Sequence, residues 1–254
     1  MTAQLTGASP IPALTVDALR DAGVEPLARY ERMLADACAL APPPYGMAWY
    51  GDRYREVASD PAWLAGSLVA NAAKEGEGSR KLWSLAGRAA DRDVAAQVRQ
   101  HAIDESRHAR FYIALLELAF PEAADEALLE QFRALSPGYG ERDTPPASAP
   151  SPDALVHDEI VQMNIGEIRT RIHQLLLRPV LAVFCPQENR PRLQGVLDAL
   201  LTDETRHIAY TARIIDRAAA GMHGPALGAV MNARLAEFNA ITLREVGAGT
   251  FASE

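Results

Sequence analysis

The chain has 254 residues, of which 48% are hydrophobic and 23% are charged, so it is long enough to bury a sizeable core. Its formal net charge of −8 argues against a general binder of nucleic acids or of anionic membranes, because such proteins need a basic face. The N-terminus lacks a basic start followed by an apolar run, so we predict a cytoplasmic protein with no membrane span. Cys38 and Cys185 form no Cys-x-x-Cys pair, which argues against a thiolate zinc site.

The chain shows no strand-like alternation anywhere, and we therefore predict a single all-α domain over residues 1–254. Residues 1–12 are rich in Ser, Gly and Pro and indicate a loose arm. Short helices are predicted over 16–21 and 26–40, before three consecutive prolines. The aromatic segment over 45–54 either packs in the core or forms a lid over a pocket.

Four long amphipathic helices form the predicted core of the domain. They are expected over about 61–88, 93–120, 153–177 and 192–219, with a further helical piece over 122–135 and a last helix over 225–246. Residues 136–152 are rich in Pro and Ser, which predicts an irregular connection between two halves of similar pattern. The last helix packs against the bundle or against a second subunit, so a homodimer is possible.

One short motif occurs twice in these helices. Asp-Glu-x-Arg-His occupies 104–108 and recurs about 100 residues later at 203–207. Because helical residues three apart share a face, Glu105 with His108, and Glu204 with His207, aim a carboxylate and an imidazole at one point. This spacing is typical of four-helix bundles that hold two iron or manganese ions, in which the other two helices supply one glutamate each.

The two remaining glutamates are predicted from the faces of the first and third long helices. Glu75 interrupts a buried apolar stripe, whereas Glu77 falls among cationic residues on the solvated side, so Glu75 is the predicted ligand. On the third long helix Glu167 lies at the edge of the apolar face and is the predicted ligand, with Glu159 as the alternative.

The predicted metal site has a favourable balance of charge. Burying four carboxylates without compensating charge would cost a prohibitive amount of free energy. Two divalent cations, with two neutral imidazoles, bring the net charge of the site to zero. Mixed imidazole and carboxylate ligation suits iron or manganese better than magnesium, calcium or structural zinc. The six predicted ligands are Glu75, Glu105, His108, Glu167, Glu204 and His207.

The other residues of the repeated motif are predicted to support the ligands. Asp104 and Asp203 can each orient an imidazole through its second ring N–H. Arg107 and Arg206 follow these aspartates by three residues and are expected to pair with them.

These residues resemble the ferritin-like di-iron carboxylate superfamily, whose motif is a Glu or Asp followed some thirty residues later by Asp-Glu-x-Arg-His, twice. The resemblance covers residues 60–120 and 153–219 of this chain. It implies a ferritin-like four-helix bundle with additional N- and C-terminal helices, in which 136–152 is the crossover between halves. It also implies two irons, or manganese with iron, that activate O2.

The resemblance narrows the expected activity. The chain is longer than bacterioferritins and lacks the cysteine-rich iron domain of rubrerythrins, so we expect an oxygenase or oxidase of a small organic substrate with an external electron donor. Hydroxylation, N-oxygenation and desaturation all remain open. The alternatives are a ferroxidase that handles iron without an organic substrate and a metal-free helical interaction protein.

Three further residues lie close in sequence to the predicted ligands. Tyr112 follows His108 by four residues, the position of the radical tyrosine in small subunits of ribonucleotide reductase, so it either stores an oxidising equivalent or packs in the core. His101 precedes Glu105 by one turn and is either a seventh ligand or a packed supporting residue. Arg171 binds a substrate carboxylate, forms an ion pair or faces solvent.

Overall fold

The computed structural model describes residues 9–221, 224–249 and 251. These residues form nine α-helices and no β-strand, which confirms the predicted all-α fold. The helices are α1 (Ile11–Asp21), α2 (Ala28–Leu40), α3 (Ala48–Ala58), α4 (Pro61–Ala86), α5 (Arg92–Ala119), α6 (Glu126–Arg133), α7 (Asp153–Phe184), α8 (Arg190–Ala219) and α9 (Gly224–Ala248). Each of them is too short or too polar to cross a lipid bilayer.

The four longest of these helices form the core of a bundle. Helix α4 packs along α5, α7 packs along α8, and α5 contacts α8 so that the two pairs join. Helix α4 begins as predicted, because Asp60 accepts a hydrogen bond from the backbone N–H of Ala62 at 2.9 Å and Pro61 occupies the first turn. Asp91 caps α5 in the same way through the N–H groups of Asp93 and Val94.

Several predicted boundaries were wrong. Helix α1 begins at Ile11, so the last two residues of the predicted arm are helical, while residues 1–8 lie outside the described part of the chain. The helical piece expected over 122–135 is only the short α6. Helix α7 continues past Pro179 to Phe184, because the fully buried Leu181 anchors its last turns.

The shorter helices cover the outside of the core. Helix α9 packs on α7, α2 and α8 through Met231, Leu235 and Phe238. In the aromatic segment, Tyr50 and Tyr54 are buried edge to face against Phe251, with ring centroids 5.3 and 5.5 Å apart. This segment therefore has the packing role.

The irregular connection between the two halves lies against α4. Tyr139 stacks on Trp83 with centroids 4.2 Å apart, and Ser151 donates its backbone N–H to the carbonyl of Arg88 at 2.9 Å. Glycine is needed on the helix, because a Cβ at Gly76 would lie 2.2 Å from the carbonyl oxygen of Leu135. The connection is therefore docked closely on the helix that carries Glu75.

Candidate metal centre

The six sequence-predicted ligands come together at the centre of the four-helix core. Each half of the chain supplies one glutamate and one Glu-x-x-His pair, on α4 with α5 and on α7 with α8. Five of the six are buried, and the side chain of Glu167 is only 14% exposed. Two groups of potential ligand atoms within 4.8 Å of one another share Glu105: one adds Glu75 and His108, and the other adds Glu167, His207 and His101.

Two of the glutamates lie between the two imidazoles of the repeated motif. Oε1 of Glu105 is 3.3 Å from Nδ1 of His108 and 3.4 Å from Nδ1 of His207. Glu204 places one oxygen 3.5 Å from Nδ1 of His108 and the other 3.7 Å from Nδ1 of His207. Carboxylates in such positions can bridge two cations, with Glu75 at one end of the cluster and Glu167 at the other.

The chemistry of these atoms fits bound cations. Within the described part of the chain, Nδ1 of His108, Nδ1 of His207 and Oε2 of Glu204 are buried and have no hydrogen-bond partner. Leaving a buried polar atom unsatisfied costs about 1–3 kcal/mol, so atoms of this kind at one point need an explanation. Divalent cations would satisfy all three.

The two aspartates of the motif fix the imidazoles across the bundle. Nε2 of His108 is 3.1 Å from Asp203, and Nε2 of His207 is 3.3 Å from Asp104, so each histidine is oriented by the other half of the chain. These contacts turn each Nδ1 toward the cluster. The sequence alone did not indicate this crossed pairing.

The two arginines of the motif hold these aspartates in place. Arg107 donates to Asp203 at 2.5 Å and to Asp104 at 3.0 Å. Arg206 lies 2.6 Å from Asp104 and 2.8 Å from Asp203. The predicted pairing of arginine with aspartate is therefore present, and it links α5 to α8 as well as acting within each helix.

Burial and mutual charge shift the acidities of the cluster. Burial and the neighbouring Glu105 raise the pKa of Glu75 well above its usual value, and burial with the neighbouring Glu167 does the same for Glu204. Burial lowers the pKa of His108, but the charges and hydrogen bonds of Glu105 and Asp203 together outweigh it and raise that pKa to about 9. His108 therefore holds a proton near neutral pH that would leave when a cation binds.

His101 belongs to the same cluster. Its Nε2 is 3.2 Å from oxygens of both Glu105 and Glu167, and its ring stacks on His207 with centroids 3.6 Å apart. Its Nδ1 lies 2.8 Å from the hydroxyl of Tyr210. The structure therefore places His101 among the candidate ligand atoms, where either predicted role suits it.

Tyr112 is buried one turn beyond His108 on α5. Burial, followed by the charges of Glu75 and Glu204, raises its pKa well above the usual value, so its hydroxyl is within electrostatic reach of the cluster. Both predicted roles, storage of an oxidising equivalent and packing beside the centre, remain compatible with this position.

Three residues weighed in the sequence lie outside the cluster. Glu159 forms an ion pair with Arg88 at 3.2 Å, which leaves Glu167 as the glutamate of α7 that faces the other ligands. Glu77 is paired with Lys81 at 2.9 Å. Arg171 donates from Nε to Thr205 at 3.2 Å and does not line the main cavity described below.

One contact in the centre was missed in the sequence. Gln174 is buried and donates from Nε2 to Glu204 at 2.9 Å. It follows Glu167 by seven residues, two helical turns along the same face, and this periodicity is the signal that would have found it.

The assignment of this cluster as a candidate metal centre rests on the geometry alone. Comparisons with protein-family models, curated proteins and solved structures found no match to this chain. What is established is a helical bundle with a buried cluster of glutamates and histidines that could hold metal ions.

Proposed function

We propose that the chain is a non-haem di-iron, or manganese–iron, oxidoreductase that activates O2 to oxidise a small organic substrate. This proposal rests mainly on the Nδ1 atoms of His108 and His207. Both atoms are buried and face carboxylates from four helices, yet neither has a hydrogen-bond partner in the described part of the chain. Iron and manganese suit this mixture of imidazole and carboxylate donors.

The chain's own residues would bind and position the metals. Glu75 and His108 on one side, and Glu167 and His207 on the other, would hold the metals together with Glu105 and Glu204, which lie between the two histidines. The four carboxylates would neutralise two divalent cations. When bound, the metals supply the O2 chemistry, and the protein supplies geometry and a site largely shielded from water.

Access to the centre favours an enzyme over a protein that only handles iron. A cavity of about 830 Å³ reaches Glu75, Glu105 and Glu167, which is a volume suited to a small organic ligand. A ferroxidase needs only a path for the iron ion. The metal-free alternative is disfavoured because it would leave Nδ1 of His108, Nδ1 of His207 and Oε2 of Glu204 buried without a hydrogen-bond partner in the described part of the chain.

The first test is the metal content of the protein. Elemental analysis after iron-supplemented expression is expected to give close to two iron or manganese ions per chain. His207→Ala should reduce that number, whereas His157→Ala should not, since His157 belongs to neither group of candidate ligand atoms. A content near zero in the wild type, persisting after anaerobic reconstitution with ferrous iron, would contradict the proposal.

A second measurement separates the enzyme from the ferroxidase. A storage protein should form a large shell, which light scattering detects, and should consume O2 in proportion to added ferrous iron alone. An oxygenase should form a small assembly, and its O2 uptake should depend on an electron donor and on an organic compound. The predicted homodimer is tested in the same light-scattering experiment.

A further inference from the structure

The candidate centre contains one histidine that lies outside the repeated motif. His101 precedes Glu105 by one turn on α5 and is buried. Its Nε2 is 3.2 Å from oxygens of both Glu105 and Glu167. The corresponding position in the second copy of the motif, four residues before Glu204, is Leu200. This imidazole therefore breaks the symmetry between the two halves of the chain.

The surroundings of His101 determine which of its ring nitrogens is available to a metal ion. The hydroxyl of Tyr210 lies 2.8 Å from Nδ1, and the same hydroxyl donates to Sδ of Met163 at 3.9 Å. Because a hydroxyl has one proton, a Tyr210 that donates to Met163 can only accept from Nδ1–H. A neutral imidazole protonated at Nδ1 carries its lone pair on Nε2, which is the nitrogen beside the carboxylates.

The two histidines of the motif are held in an equivalent way. Asp203 and Asp104 engage Nε2 of His108 and of His207, which leaves each Nδ1 for a metal ion. His101 is held through Nδ1 instead and presents Nε2. All three imidazoles thus turn one nitrogen toward the cluster, while a side chain that is not a candidate ligand holds the other.

The three imidazoles are divided unequally between the two groups of candidate ligand atoms. One group contains both His101 and His207, with Glu105 and Glu167, and we call it the nitrogen-rich site. The rings of its two histidines stack with centroids 3.6 Å apart. This site offers two nitrogens and two carboxylates to one ion.

The other group contains a single imidazole. It consists of His108 with Glu75 and Glu105, and we call it the carboxylate-rich site. Glu105 is common to both sites, so they differ in one imidazole and in which further glutamate they contain.

Glu204 adds to the difference between the two sites. Its Oε1 accepts a hydrogen bond from Nε2 of Gln174 at 2.9 Å. Its Oε2 lies 3.7 Å from Nδ1 of His207 and has no hydrogen-bond partner in the described part of the chain. The unengaged oxygen of Glu204 therefore faces the nitrogen-rich site.

We propose that the two metal positions are unequal: the nitrogen-rich site takes the first ion and favours iron, and the carboxylate-rich site takes the second ion and accepts manganese. Imidazole suits iron, carboxylate suits manganese, and a given site binds Fe²⁺ more tightly than Mn²⁺. Tyr210 is a positioning residue in this arrangement, because it acts through His101. The inference rests on the proposed function, since it assigns the ions of the same centre.

The test is anaerobic titration of the metal-free full chain with Fe²⁺, and separately with Mn²⁺, by isothermal titration calorimetry. We expect two steps with Fe²⁺, the first roughly tenfold tighter than the second, because the first ion gains an additional imidazole. The gap between the steps should be smaller with Mn²⁺. Two Fe²⁺ ions that bind with equal affinity would overturn the proposal.

Two substitutions of the same shape separate the sites. Glu167 belongs only to the nitrogen-rich site, and Glu75 belongs only to the carboxylate-rich site. Glu167→Gln should narrow the gap between the two Fe²⁺ steps, because it weakens the tighter one. Glu75→Gln should widen the gap, because it weakens the second step. The same change in both variants would contradict the assignment of the two sites.

Tyr210→Phe tests the positioning of His101, since it keeps the ring and removes the hydroxyl that holds Nδ1. We expect the tighter Fe²⁺ step to weaken by about 10-fold or more, as for other side chains that orient metal-ligating histidines. Tyr30→Phe is the matched control, because it removes a buried hydroxyl that donates to Asn164 at 3.0 Å and belongs to neither site. Circular dichroism checks the fold of each variant, and equal Fe²⁺ affinities of the two would refute the role of Tyr210.

The outcomes distinguish this inference from the proposed function. Two equal steps would refute the unequal sites and leave the di-metal centre intact. Two unequal steps in a protein whose ferrous form consumes no O2 would refute the proposed function alone. No binding of either ion would refute both.

Discussion

Asp104 is the most connected side chain of the candidate centre outside the ligands themselves. It is 1% exposed, accepts from Arg107 and Arg206, and lies 3.3 Å from Nε2 of His207. A carboxylate in this position fixes the tautomer and orientation of the imidazole and increases its basicity. The candidate ligand atom Nδ1 of His207 is therefore oriented by a residue that is not itself a candidate ligand.

We expect Asp104→Asn to weaken metal binding by about 10- to 100-fold while the protein remains folded, because the amide keeps the shape but loses the charge that orients His207. Chelator competition measures the affinity, and circular dichroism checks the fold. Asp198→Asn is the matched control, since Asp198 also pairs with an arginine but lies exposed on α8. Equal affinity of the two variants would contradict the supporting role.

The acidities of the ligands make a second prediction at this scale. The raised pKa values of Glu75, Glu204 and His108 mean that protons occupy these groups below those values, and His108 titrates at about 9. Metals must displace these protons, so the apparent affinity for Mn²⁺ should rise with pH up to about 9, by up to tenfold per pH unit for each proton released. Calorimetry in two buffers with different ionisation enthalpies counts the protons. An affinity that is flat with pH would contradict the shifts.

The residues of the centre differ in how well the sequence predicted them. Helical periodicity and the repeated motif predicted Glu105, His108, Glu204 and His207. In the structure, both glutamates lie within 3.7 Å of Nδ1 of both histidines, as expected. The crossed pairing of Asp104 with His207 could not be predicted, because it depends on the relative height of α5 and α8. That height is set by packing across the whole bundle.

At the scale of elements, α4 is held between the bundle and the irregular connection. Two glycines of this region let the backbone of the connection approach α4 closely. A Cβ at Gly87 would lie 2.4 Å from the carbonyl oxygen of Pro146, and a Cβ at Gly76 would likewise clash with the carbonyl oxygen of Leu135. Gly76 is also next to Glu75 and accepts a hydrogen bond from Arg80. The placement of the connection is therefore coupled to the candidate centre, because Gly76 directly follows Glu75 on α4.

Gly76→Ala is expected to lower the free energy of unfolding by about 1–3 kcal/mol, because the new methyl group must displace a backbone carbonyl. Gly78→Ala is the matched control on the same helix. It meets open space and should raise stability by roughly 0.5–1 kcal/mol through the higher helix propensity of alanine. Urea denaturation measures both, and a stabilising Gly76→Ala would contradict the close docking.

The elements themselves were predicted with uneven success. The start of α4 follows from Asp60 and Pro61, whose local chemistry determines a helix N-terminus whatever surrounds it. The end of α7 was placed too early, because Pro179 disfavours helix locally but the burial of Leu177 and Leu181 outweighs that cost. Tertiary contacts of this kind have no signature in a single sequence.

On the scale of the whole molecule, the candidate centre exists only where the two halves of the chain meet. The pair α4 and α5 supplies three predicted ligands, the pair α7 and α8 supplies three, and Asp104 and Asp203 each orient the histidine of the other pair. Bound cations would therefore cross-link all four core helices. The stability of the whole bundle should depend on metal occupancy.

We expect metal to raise the melting temperature of the wild-type protein. At a free metal concentration 1,000 times Kd the stabilisation is about 4 kcal/mol, which corresponds to roughly 8–16 °C for a chain of this size. Scanning calorimetry with Mn²⁺, and again with excess chelator, measures the shift. Glu105→Ala should abolish it, because Glu105 belongs to both groups of ligand atoms, while Glu130→Ala, on the exposed α6, should retain it. If Glu105→Ala showed the same shift as the wild type, metal would be binding elsewhere and the bundle would not be held together at this centre.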